Sequence, residues 1–167
     1  MRKEWHVGIV IPARNEQEFI GTVIESIPDF VDKIIVVNDG SSDNTKKIVE
    51  EKINAKNKIE LINLAGEGVG RAIDCGHQYL LDNLQKPFVS VVMAGDGQMD
   101  VEDLPHVIEP IIQEQTDHVK GNRFHHPDGT GNMPATRKLA SKLLGFFTTL
   151  AAGRQVTDPQ CGYTATS

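Results

Sequence analysis

The residue pattern predicts an α/β fold, a mostly parallel, doubly wound sheet flanked by helices. Two observations predict it. Residues 7–11, 33–37 and 88–93 are near-continuous apolar runs without alternation, as expected of strands buried on both faces of a helix-covered parallel sheet. Between such runs lie segments of helical periodicity joined by short turns, with no repeat or low-complexity linker, and that alternation marks a doubly wound sheet.

Taken in order, the first strand is closed by Pro12, and Asn15 is placed to cap a helix carrying Phe19, Ile20, Val23, Ile24 and Ile27 at helical spacing. Pro28 stops that helix. After the strand at 33–37 comes a turn, Asn38-Asp39-Gly40-Ser41-Ser42-Asp43, where Ser42 or Asp43 caps a helix running to about Ile53. Residues 58–64 read as a strand. Gly66, Gly68 and Gly70 open a helix that turns Ala72, Ile73, Tyr79, Leu80 and Leu84 inward. The central strand at 88–93 runs into Asp96, Gln98 and Asp100 among glycines. A helix from about 101 to 114, interrupted by Pro105 and Pro110, a short strand near 118–120, a polar loop at 124–132 and a long helix from about 134 to 152 follow. Residues 157–167 are strand-like and have no helix after them.

Composition sets bounds. A chain of 167 residues with 39% hydrophobic content is long enough for one domain with a real core. Its 17 Lys and Arg against 23 Asp and Glu give a net charge of -6, and no basic block is present, so duplex nucleic acid is not an expected partner. Cys75 and Cys161 form no Cys-x-x-Cys pair and follow no signal peptide, which fits reduced thiols in a cytoplasmic protein. No apolar run approaches the ~18 residues that span a bilayer. Membrane contact is therefore expected to be peripheral, at the cytosolic face.

Four polar loops, at 12–16, 38–43, 65–70 and 94–100, all follow strands and so converge on one sheet edge, where open α/β sheets bind ligands. Independent structural turns would have no reason to gather Asp, Asn and Gly on one side. Asp96 with Gln98 presents hard oxygen donors suited to a divalent cation, or else forms a solvated turn that ends a strand.

Ile11-Pro12-Ala13-Arg14-Asn15-Glu16, Val37-Asn38-Asp39-Gly40-Ser41-Ser42-Asp43-Asn44-Thr45 and Met93-Ala94-Gly95-Asp96-Gly97-Gln98-Met99-Asp100, in this order, resemble the three signatures of family 2 glycosyltransferases. Within that family the chain is most similar to dolichol-phosphate mannose and glucose synthases. The resemblance implies a GT-A fold and a single catalytic domain over residues 1–167, shortened at its carboxyl end. It also implies a nucleotide-sugar donor (GDP-mannose or UDP-glucose), a divalent cation (Mg²⁺ or Mn²⁺), a polyprenyl phosphate acceptor and inversion at the anomeric carbon. Relatives continue beyond the point where this chain ends, so a partner subunit supplying that part is a further expectation.

Carried over position by position, Pro12, Ala13, Asn15 and Glu16 match the loop around the nucleoside, and Asn38 and Asp39 the turn that contacts base or ribose. Relatives often have Asp at the position of Asn38. Gly66 to Arg71 matches a glycine-rich helix start near the nucleotide, with helix–sheet packing the competing role. Where relatives read Asp-x-Asp, this chain has Ala94 and Asp96. Asp96 is then the expected catalytic metal ligand, nucleotide contact included, with Gln98 in support and Asp100 as an N-cap. A phosphate acceptor is already anionic at neutral pH and needs cations rather than a base. Arg123, in Gly121-Asn122-Arg123-Phe124, and Arg137 match the family's candidates for that clamp. Asp158, in an Asp-x-x-x-Gly-aromatic segment, orients Arg123 or only orders its turn. His125-His126 reads as a polar loop in preference to a second metal site. Two rival readings stand beside the first: the same fold acting on a sugar or lipid hydroxyl, and a non-catalytic nucleotide-sugar-binding module.

Overall fold

The computed structural model describes residues 5–54, 57–124, 135–153 and 155–167; the side chains of Ala135, Arg137 and Lys138 lie outside the described set. The elements are β1 (His6–Ala13), α1 (Ile20–Ser26), β2 (Lys33–Asp39), α2 (Thr45–Ile53), β3 (Ile59–Leu64), α3 (Val69–Asn83), β4 (Phe88–Val92), α4 (Leu104–Ile112), β5 (His118–Lys120), α5 (Ala135–Ala152) and β6 (Thr164–Thr166). Their order is the one the periodicity predicts. They fall into two compact units, one comprising Met1–Val119 with Tyr163–Ser167 and the other Lys120–Gly162.

The sheet has six strands in the order β3-β2-β1-β4-β6-β5. β1 pairs in parallel with β2 and β4, and β2 with β3, while β6 returns antiparallel along β4. Consecutive residues Ile34, Ile35, Val36 and Val37 are all fully buried. Since successive strand side chains point to opposite faces, both faces of the sheet are covered, which is why these strands read as unbroken apolar runs. On one face Val10, Ile35 and Val37 pack with Ala72 and Leu80 of α3 and with Phe88. Neither cysteine is in a disulfide; Cys75 is partly buried and Cys161 buried.

The close approach of α3 to β1 depends on small residues. A Cβ at Gly76 would lie 2.2 Å from Val10 Cγ1, and one at Gly8 would lie 2.6 Å from Leu80 Cδ2. The two glycines let helix and strand meet at backbone distance, and their partners fill the space.

Three local expectations are revised. Asn15 does not cap α1: the helix begins at Ile20, its N-cap Phe19 makes no side-chain hydrogen bond, and Asn15 has φ of 59°. Its amide is drawn to the turn after β2 instead, where it accepts from a backbone N–H. Neither Pro105 nor Pro110 interrupts α4, because Pro105 lies in the first turn, where no N–H is required, and the helix carries Pro110 through to Ile112. Asp43 does serve the start of α2, with Oδ1 accepting from Thr45 N at 2.9 Å. Asp100 likewise caps the short turn before α4, accepting from Glu102 N at 2.9 Å.

Tyr163 places its hydroxyl in a buried position with no hydrogen-bond partner among the described residues. Replacing it by Phe removes an unsatisfied group, so thermal denaturation of Tyr163→Phe should show stability unchanged or raised. Gly76→Ala, by contrast, should destabilise by about 1–3 kcal/mol through overpacking against Val10, read as a lower urea midpoint.

Candidate functional site

The register brings the strand ends level. Ala13 lies beside Asn38, Asp39 beside Leu64, and Val10 beside Val92, with Met93 N donating to Val10 O at 3.0 Å. The loops that leave these ends therefore share one edge. The chain direction across the sheet reverses between β1 and β4, the position where such sheets open a crevice.

The first two loops are laced together by side-chain to backbone bonds. Asn15 N donates to Ser41 Oγ at 3.0 Å, Ser42 N to Asn15 Oδ1 at 2.8 Å, and Glu16 N to Thr45 Oγ1 at 2.8 Å. Gln17 N donates to Asp43 Oδ2 at 3.2 Å and Asn44 N to Gln17 Oε1 at 3.1 Å. Thr45 is fully buried, so the Glu16 amide bond is shielded from competition by water.

Asn38 and Asp39 have different jobs. Asn38 is buried, donates Nδ2–H to Asn63 Oδ1 at 2.9 Å and accepts from Ser41 N at 3.2 Å, which ties the turn to β3. Asp39 accepts Glu67 N on Oδ1 at 2.7 Å and Gly68 N on Oδ2 at 2.8 Å. Burial pushes its carboxyl up, but the amide bonds from Glu67 and Gly68 and the positive charge of Arg14 outweigh that and hold it below the ordinary carboxylate value. The turn thus held is bent where few residues fit: Gly66 and Gly68 have φ of 91° and 94°. A Cβ at Gly40 would lie 3.0 Å from Gly66 N, so the second and third loops touch through backbone.

Arg14 was not singled out by the sequence pattern, since one arginine in a polar loop has no periodicity or spacing to announce it. It is exposed, interacts with the charge of Asp39, and brings Nη2 to 4.0 Å of the position a Cβ would take on Gly66. A guanidinium therefore stands over the edge where β1, β2 and the glycine turn meet.

The loop after β4 folds back on the first. A Cβ at Gly95 would lie 3.5 Å from Ala13 Cβ, and one at Gly97 3.5 Å from Phe19 Cδ1. Ala13 is thereby buried under this loop, and Pro12 sits beside Val37 within the sheet. Asp96 accepts Gln98 N on Oδ1 at 3.0 Å, and Gln98 itself is exposed. At Ala94 the backbone N–H is taken by Met99 Sδ at 3.2 Å. Burial raises the pKa of Glu16, and the negative charges of Asp96 and Asp43 raise it further. Glu16 thus lies in the field of carboxylates from two other loops at the carboxyl edge. No set of three or more His, Cys, Asp or Glu side chains that would enclose a metal by themselves occurs among the described residues. The donor set fits a hard cation that takes one or two carboxylates and completes its shell with water and phosphate oxygens.

In the other unit, Arg123 and Asp158 form a forked pair. Nε and Nη2 of Arg123 donate to Oδ2 and Oδ1 of Asp158 at 2.8 and 2.9 Å, and Arg123 N donates to Oδ2 at 3.1 Å. Asp158 is buried. Burial pushes its carboxyl up, while the bonds and charge of Arg123 pull it lower, to a net value below the ordinary one; Asp158 in turn raises the pKa of Arg123. The pair leaves three of the five guanidinium N–H donors uncommitted to Asp158. Asn122 Nδ2 donates to Thr157 Oγ1 at 2.6 Å and fixes the same turn. The side chain of Arg137 and the loop with His125 and His126 lie outside the described residues; the backbone of residue 137 belongs to α5.

A lowered folded-state pKa for Asp158 means that its contribution to stability is present above the ordinary carboxylate range and lost as pH falls through the folded value. Asp158→Asn should therefore cost about 1–3 kcal/mol at pH 7 and less below pH ~4, checked by urea melts at both pH values. For Glu16 the sign is opposite. Asp96→Asn removes a negative neighbour and should lower the Glu16 pKa, a shift that carboxyl NMR titration reads directly.

Comparison with known proteins places these features. Residues 8–166 match the family described as glycosyl transferase family 2. The chain is 35% identical, over 96% of its length and 69% of the relative's, to the UDP-N-acetylglucosamine–dolichyl-phosphate N-acetylglucosaminyltransferase of Methanococcus voltae. It is 28% identical to a dolichyl-phosphate beta-glucosyltransferase of Trichomonas vaginalis, covering 96% of this chain and 51% of that one. Among solved structures it resembles glucosyl-3-phosphoglycerate synthase from Mycobacterium tuberculosis, crystallised with Mn²⁺, UDP and phosphoglyceric acid. The TM-score is 0.69 at 21% identity, over 99% of this chain and 57% of that one. The chain thus spans between half and about two thirds of the proteins it matches. With the strand order, the polar edge and the sequence match in agreement, the chain belongs to glycosyl transferase family 2 and has the GT-A fold.

Proposed function

We propose that the chain transfers a hexose, with inversion, from a nucleoside diphosphate sugar to a polyprenyl phosphate, and that it requires a divalent cation. The observation that carries this reading is the position of Glu16 in the negative field of Asp96 and Asp43 at the carboxyl edge of a parallel sheet. Such an edge repels a diphosphate unless a cation stands between them. Asp96, with Gln98 in support, would hold that cation. When bound, it neutralises charge building on the leaving diphosphate.

The chain's own residues do the rest. The laced loops at Pro12, Ala13, Asn15 and Glu16 and the turn at Asn38 and Asp39 form the rim for the nucleoside, and Arg14 adds a cation at its edge. The acceptor phosphate oxygen forms the bond to the anomeric carbon as the bond from that carbon to the diphosphate oxygen breaks, the electron pair leaving with the nucleoside diphosphate. A phosphate monoester is anionic at neutral pH, so no general base is needed. Arg123, kept in one orientation by Asp158, and Arg137 are the proposed cations for that acceptor. The named activities of the relatives favour transfer of N-acetylglucosamine from its UDP conjugate, or of glucose, over transfer of mannose, and a dolichyl-type phosphate acceptor.

Labelled UDP-glucose, UDP-N-acetylglucosamine and GDP-mannose, each with Mn²⁺ or Mg²⁺ and a short polyprenyl phosphate, test the proposal. Lipid-linked product with one UDP-sugar is expected, abolished by EDTA and reduced about 10²-fold or more in Asp96→Asn. Tight nucleotide binding with no transfer to any acceptor would overturn it in favour of a binding module, the reading to which Ala94 lends weight. Transfer to a hydroxyl acceptor alone would redirect it to the other branch of the family.

A further inference from the structure

Tyr163 is 5% exposed, and its buried hydroxyl has no hydrogen-bond partner among the described residues. Burial, and then the negative charges of Asp103 and Asp100, push its pKa up, so the hydroxyl keeps its proton and stands as a donor in a field of acceptors. A phenylalanine would fill the same volume without an unsatisfied group. A polar atom kept at a cost to the fold calls for a use elsewhere.

The matching acceptor is Asp103. It is the N-cap of α4 yet makes no side-chain cap bond, and its Oδ1 stands 3.8 Å from His106 Nδ1, beyond hydrogen-bond reach. An unspent donor and an unspent carboxylate thus lie in each other's field. Their place in the fold gives the pair a purpose. β6 runs antiparallel to β4 with Val92 opposite Thr164 and Val91 opposite Ala165, so Tyr163, the next residue, is level with the end of β4, where the Asp96 loop departs. Tyr163 and Ala165 share one face of β6, and α4 packs against β6 and β4.

The Asp96 loop is also the one held most loosely. The loops at 12–17 and 38–45 are bonded to each other, and the glycine turn is bonded to Asp39. In the segment 94–103 the bonds through side chains stay local: Ala94 N donates to Met99 Sδ, Gln98 N to Asp96 Oδ1 and Glu102 N to Asp100 Oδ1. We propose that Tyr163 is a positioning residue for this loop: as Asp96 engages a cation and its diphosphate, the turn at 101–103 settles on β6 and Asp103 accepts the Tyr163 hydroxyl. That bond fixes the far end of a loop whose near end is fixed by Met93 N on Val10 O at 3.0 Å. The inference rests on the proposed donor site, because a ligand on Asp96 is what moves the turn.

Calorimetric titration of the full chain with UDP and GDP in turn, in the presence of Mn²⁺, tests it beside Tyr163→Phe, Asp103→Ala and the double variant. Tyr163→Phe is expected to bind the nucleotide about tenfold more weakly, the worth of one hydrogen bond to a charged acceptor, while its melting temperature without ligand stays level or rises. A side chain that merely filled the core would lose both together. Asp103→Ala should lose a similar factor, and the double variant no more than either, because the two residues act through one bond. In amide hydrogen exchange, residues 94–103 should gain protection on addition of Mn²⁺ and nucleotide in the parent chain, and less in Tyr163→Phe. Parent-like affinity and protection in Tyr163→Phe, a weakened affinity that comes with a lowered melting temperature, or losses that add in the double variant each overturn the inference and leave the donor reading standing. Absence of cation-dependent nucleotide binding in the parent chain overturns both, so the two failures are told apart.

Discussion

The grip of Asp39 on two backbone amides organises the carboxyl edge of the sheet. One carboxylate closes the glycine turn after β3 onto the end of β2, and the same residue lies in the field of Arg14 from the end of β1. Three strands are thereby coupled at their carboxyl ends through a single side chain. The coupling is strong because an ionised acceptor receiving two N–H donors in a buried setting forms bonds roughly twice as strong as neutral ones. If that carboxylate were neutral, the turn at Gly66 and Gly68 would lose its anchor to the end of β2.

The second constraint is electrostatic. A parallel sheet brings the loops that follow its strands to one end, and here those loops contribute Glu16, Asp43 and Asp96 to one neighbourhood. Both neighbours disfavour the ionised form of Glu16. The amide of Ala94 donates to the Met99 thioether, which closes the loop through a soft contact.

Much of this was legible in the residues. The strand runs at 33–37 and 88–93 had no alternation because both sheet faces are covered, and the helix of α3 was marked by its glycine start and by Ala72 and Leu80. What was not legible depends on contacts distant in sequence. Asn15 looks like a cap when only its neighbours are considered, but its amide finds Ser42, 27 residues away. Asn38, which reads as a nucleotide contact, also holds β3 through Asn63, a bond no local pattern announces. Arg14 had no pattern at all, and its significance comes from Asp39 and Gly66 arriving beside it. From its neighbours alone Asp158 fits either of two roles, and its forked pair with Arg123 holds the guanidinium in one orientation.

The way the chain enters and leaves its second unit has a modular consequence. Lys120–Gly162 departs from β5 and returns through β6, and these two strands are neighbours in the sheet. The unit is thus an insertion hung between adjacent strands, while β3, β2, β1 and β4 complete their own pairing without it. Evolution or recombination can exchange such a cassette as a block, because both its junctions belong to strands that are neighbours in the sheet.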